Sequence, residues 1–78
     1  MEHDINVLKK ILNSALFLGK YPIIDRVHVD QHGKGIDIVL IPNDSKKYWE
    51  TKKEIHSYIW SITKMAGVNV KSGLNIYP

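Results

Sequence analysis

The strongest constraint on how this chain can fold is a turn signal, His32-Gly33-Lys34-Gly35, set between two β-branched runs. Glycine tolerates positive φ, so Gly33 and Gly35 permit the tight reversal that a two-residue hairpin loop requires. A Gly33-Lys34 loop pairs His32 with Gly35. Counting back, Val29 then faces Ile38 and Val27 faces Leu40, all on one side of the ribbon. A one-residue slip would move each of these side chains to the other face, so the apolar pattern itself fixes the register. The first strand is expected over residues 23–31, with Val27 and Val29 inward and Arg26, His28 and Asp30 outward. The second is expected over residues 36–41, where the run is nearly continuous in apolar character. Pro42 has no N–H to give a ladder and ends it.

Helical signals flank the hairpin. Asp4 can cap a first helix and Gly19 can end it, with Ile5, Leu8, Ile11, Leu12, Ala15 and Leu16 recurring at helical spacing between them. Pro22 disfavours helix at Tyr21 and begins the extended segment. Asn43, Asp44 and Ser45 are all good caps for a second helix running to about Ala66, where Gly67 stops it. A last strand is expected over residues 68–77, with Val70, Leu74 and Ile76 on one face and a bulge or close backbone approach at Gly73. The order αββαβ predicts an α+β domain, with a three-stranded sheet and two helices on one face. A crossover that passes over the first strand gives sheet order 2-1-3, mainly antiparallel. Order 1-2-3 with a parallel last pair is the alternative.

Seventy-eight residues make a single domain, 1–78, with a stability on the order of 4–8 kcal/mol. The chain has no cysteine, which excludes disulfides and zinc-thiolate chemistry and fits a reducing compartment. Met1-Glu2-His3-Asp4 lacks a basic leader, and the longest apolar run, residues 15–18, is far too short to span a bilayer. A cytoplasmic protein is expected. The formal charge of +3 permits nucleic acid as a partner without requiring it.

The second helix carries the most informative surface pattern. Trp49, Lys53, His56, Trp60 and Lys64 fall in one strip. Tyr48, Ile55, Ile59, Ile62 and Ala66 form another, facing roughly the opposite way, as a core would want. Large rigid rings beside lysines suit a protein interface, or stacked bases with neighbouring phosphates. The competing reading places the tryptophans in a seam between the two helices. Lys46, Lys47, Lys52 and Lys53, interleaved with Glu50 and Glu54, read as a solvated, salt-paired surface.

Two further clusters lie on the outer sheet face. His28, Asp30 and His32 alternate along the first strand, and the register puts Asp37 opposite Asp30. Imidazoles with carboxylates are acceptable ligands for a divalent ion, and facing carboxylates repel unless something relieves them. The same face carries Ile24, Val39 and Ile41 beside Arg26, His28, Lys71 and Tyr77, an apolar share that suits packing against a two-fold mate. No catalytic motif is present: the five serines lack an elbow sequence, and Gly33-Lys34-Gly35 leads into a strand rather than a helix, unlike a phosphate-binding loop. No cofactor and no small-molecule substrate is indicated. The sequence therefore predicts a non-enzymatic module that binds protein, first its own copy. A nucleic-acid accessory protein is the alternative, and a metal-responsive module the third reading.

Overall fold

The computed structural model describes residues 2–33, 35–68 and 73–78. These form α1 (Glu2–Leu12), α2 (Ala15–Lys20), β1 (Ile24–His32), β2 (Gly35–Pro42), α3 (Ser45–Met65) and β3 (Leu74–Tyr77). The hairpin has the register the turn dictates: His32 opposite Gly35, Asp30 opposite Asp37, Val29 opposite Ile38 and Val27 opposite Leu40. Gly33 takes φ +61° at the turn. Lys34 lies outside the described residues.

The sheet order is β1-β2-β3, with β3 parallel to β2, rather than 2-1-3 and antiparallel. One obstacle to that order lies at the free edge of β1. Val27 would offer its N–H and C=O to a strand on that side, but Asn13 occupies both. The Val27 N–H donates to Asn13 Oδ1 at 2.9 Å, and Asn13 Nδ2 donates to the Val27 carbonyl at 2.8 Å. β2 is the more apolar strand and takes the centre, burying Ile36, Ile38 and Leu40. β3 pairs with it from Ile36–Leu74 to Val39–Tyr77. Leu74 is buried and Ile76 packs against the core from its edge. Val70 and Lys71 lie outside the described residues.

Asn13 also explains why the expected first helix is two. Its side chain turns to the strand, and Ser14 breaks the helix by donating to the Ile11 carbonyl at 2.6 Å while its Oγ caps α2 by accepting from the Phe17 N–H. The helical phase is reset across this break. Ile5, Leu8 and Leu12 are buried as the period requires, but Phe17 takes the next core place, and Ala15 and Leu16 face solvent. Gly19 lies inside α2, and the helix ends at Lys20 instead.

The expected second helix is α3. Asp44 caps it, accepting from the Lys47 N–H at 3.0 Å. It ends at Met65, and Gly67 follows with φ +72°. Its buried residues Tyr48, Ile55 and Ile59 join one cluster with α1, Phe17 and the inward side of the sheet, while Ile62 is half-buried and Ala66 is exposed. Thr63 is also fully buried, its hydroxyl donating to the Ile59 carbonyl at 2.8 Å. Among the described residues no helix is long and apolar enough to cross a membrane.

Candidate interaction surface

α3 presents three strips to its surroundings. The first is the core strip just described. The second carries Trp49, Lys53, His56, Trp60 and Lys64. Trp49 is 60% exposed and Trp60 37%, so neither fills a seam against α1. Lys53 and Lys64 are exposed beside them. The Lys52 ammonium sits 4.6 Å from the centre of the Trp49 ring, a cation–π contact that steadies the indole at the surface. His56 is half-buried and tied to the core: its Nε2 lies 2.8 Å from the Tyr48 hydroxyl. Burial holds the His56 pKa below its usual value, and the charge of Lys52 adds to this. Burial likewise raises the Tyr48 pKa. His56 therefore belongs to the support of the strip, which Trp49, Lys53, Trp60 and Lys64 present to solvent.

The third strip escaped the sequence analysis. It faces α2 and the end of α1 across two grooves that share lining residues. One, of about 370 Å³, is apolar and lined by Ile11, Leu16, Tyr58, Ile62 and Met65 among others. Leu16 is 79% exposed and Met65 87%. The other, of about 300 Å³, is lined by Lys20, Tyr21, Glu54, Ser57, Tyr58 and Ser61. Tyr58 and Ser61 belong to both. Behind them Phe17, Tyr21 and Tyr58 form an aromatic cluster, with ring centres 5.4, 6.0 and 5.6 Å apart. The Tyr21 hydroxyl is buried and makes no hydrogen bond of normal geometry. Burial pushes its pKa up to about 12, and Glu54, through its neighbouring side chain and then its charge, adds to this. The sequence held one signal of this surface. Leu16-Phe17-Leu18 are consecutive, and a six-residue helix cannot bury all three.

On the sheet, Ile24 departs from the expected outer face. The β1 register shifts between Ile24 and Arg26, so a bulge at Asp25 turns Ile24 inward, and it is only 2% exposed. Asn43 holds the bulge, donating to Asp25 Oδ1 at 2.7 Å and to the Pro22 carbonyl at 2.9 Å. Arg26 is exposed opposite half-buried Ile41, and His28 is exposed opposite half-buried Val39. The outer face is thus less apolar than the sequence pattern suggested, with Val39, Ile41 and Tyr77 as its apolar members.

Of the proposed metal ligands, His28, Asp30 and Asp37 are not grouped to hold an ion. His28 and Asp30 are exposed, and Asp30 does face Asp37. Asp37, however, accepts from the Asn75 side chain of β3 at 3.1 Å, a partner that the parallel pairing supplies. The His32 side chain lies outside the described residues. Among the described residues no group of three or more His, Asp or Glu is placed to hold a metal. Compared with known proteins, the chain matches no protein-family model, no curated protein and no solved structure.

Proposed function

We propose that this chain is a small, non-enzymatic, cytoplasmic binding module that works through protein–protein contacts, with a second copy of itself as the first partner. The observation that supports this reading is the exposure of Trp49 and Trp60 on a helix whose core face is complete without them. In a two-fold dimer, withdrawing the exposed surface of both rings from water contributes about 6 kcal/mol per copy, or about 12 kcal/mol for the pair, taking roughly 250 Å² for a whole tryptophan. Association itself costs about 4 kcal/mol or more. The expected self-association is therefore weak, in the micromolar range or above. Light scattering across protein concentration tests it: the mass should rise toward the dimer, and the double variant W49A/W60A should remain a monomer. A monomer at all concentrations, or a dimer indifferent to both substitutions, would remove these rings from any self-interface.

The exposed Lys53 and Lys64 on the same strip support a second reading, a nucleic-acid face that stacks bases on the tryptophans. Binding of that kind weakens steeply with salt. Titration with single-stranded RNA and DNA at low and high salt separates it from protein binding, because a protein interface centred on indole rings loses little affinity as salt rises.

A further inference from the structure

Tyr21 and Tyr58 stand nearly at right angles, with ring centres 5.6 Å apart and planes at 76°. Together they line two sides of a box that the Lys20 side chain covers, leaving Tyr21 only 4% exposed. The Lys20 ammonium lies in it, 5.6 Å from the Tyr21 ring centre and 5.2 Å from that of Tyr58. Glu54 lines the same groove and lies close enough to Tyr21 for its charge to act on the hydroxyl. Ring faces are negative and attract cations, and a carboxylate beside them adds to the attraction. Walls set this way can meet an ammonium on two sides at once.

We propose that the box formed by Tyr21, Tyr58 and Glu54 binds an alkylammonium group, and that Lys20 is its internal, displaceable occupant. Lys20 is the last residue of α2 and is exposed, so its side chain can swing out without disturbing the helix. Quaternary ammonium is favoured over primary, because it gives up less hydration on entering. The apolar groove lined by Ile11, Leu16, Ile62 and Met65 shares Tyr58 and Ser61 with this one, so the ligand class is a quaternary ammonium carrying an apolar substituent. This site lies on a different flank of α3 from Trp49 and Trp60, so the proposal stands or falls independently of self-association.

The test is a titration with tetramethylammonium chloride, followed through the tyrosine ring resonances by NMR and referenced to sodium chloride at equal ionic strength. An exposed cation–π contact has a strength that would let Lys20 weaken apparent binding roughly three- to sixfold, so K20A should bind tighter by that factor. K20Q, which keeps the aliphatic stem, should show the same gain if K20A fails to fold. Butyltrimethylammonium should bind tighter than tetramethylammonium, since its chain reaches the apolar groove. Adding E54Q to K20A should weaken binding of both. N-acetyl-trimethyllysine and phosphocholine, titrated separately, distinguish a side chain from a headgroup as the source, and saturable binding of either supports the box. Ring shifts in K20A no larger than those in sodium chloride would overturn the proposal, as would binding unchanged by E54Q.

Discussion

Replacing Asn13 with alanine tests its hold on the edge of β1 directly. The Asn13 side chain makes two hydrogen bonds with the Val27 peptide group, at 2.9 and 2.8 Å, and a third to the Lys9 carbonyl at 3.0 Å. The Lys9 bond is local and exposed, and water replaces it readily. Each of the two bonds to Val27 contributes about 0.5–1.5 kcal/mol. Both are part-buried, and in the variant water can reach the strand edge, which keeps the loss toward the lower part of that range. The expected cost is about 1–2 kcal/mol, a fall in melting temperature of roughly 6–12 °C for a domain of this size. N13D should do no better: the carboxylate still accepts from the Val27 N–H but meets the Val27 carbonyl oxygen without a donor. Thermal denaturation followed by circular dichroism measures the cost, and amide hydrogen exchange locates it, because in the wild type the Val27 N–H is protected by a side chain rather than by a strand. A melting temperature lowered by less than about 2 °C, together with an unchanged Val27 exchange rate, would refute the role assigned to Asn13.

Three other outcomes follow from the same structure. Ile24→Ser should destabilise by about 2–4 kcal/mol because its side chain is buried, whereas R26S should be nearly neutral; denaturant unfolding of the pair tests whether the bulge at Asp25 divides them as described. His56 has a lowered pKa through burial and then Lys52, so the folded state disfavours its proton; the stability tied to this group is full above pH about 6.5 and is lost as pH falls below that value, and H56Q should show a shallower acid loss in urea titrations at stepped pH. Tyr21 is raised from 10.0 to about 12 by burial and Glu54, so its contribution is intact below pH 10 and lost as pH climbs through 12; Y21F should melt no lower than wild type at pH 7, having no buried hydroxyl left unpaired, and should lack that alkaline loss.

What the sequence made legible is what local chemistry decides. The hairpin register followed from the Gly33 turn and the pairing of Val27 and Val29 with Leu40 and Ile38, because a slip would have turned every apolar group outward. The start of α3 followed from the cap candidates Asn43, Asp44 and Ser45, of which Asp44 is the one used. The failures share one cause: a polar side chain whose partner lies far along the chain. Asn13 reaches Val27 at the break in the first helix and takes up polar groups on one edge of the sheet, while β3 pairs at the other. Asn43 reaches Asp25 and Pro22, supporting the bulge that turns Ile24 inward. Nothing in the spacing of asparagines announces such contacts. The groove beside Tyr58 was hidden for the same reason, since it exists only because Leu16 lost its core place when the helical phase was reset at Ser14.

The central strand has neighbours of very different separation along the chain, and this sets an order of assembly. β1 joins β2 through a turn in which residues 32 and 35 pair, while β3 joins it by pairing residue 36 with residue 74. Closing the longer loop costs about 2 kcal/mol more chain entropy, so the hairpin forms within microseconds and β3 arrives last. Until it does, residues 36–39 are an open edge in which Ile36, Ile38 and Val39 are strong β-formers. Asn13 guards the far edge of the sheet, but nothing comparable guards this one before β3 docks. During that interval the β3 segment of a neighbouring chain meets the same edge with the same register, so at high concentration refolding competes with exchange of the last strand between copies.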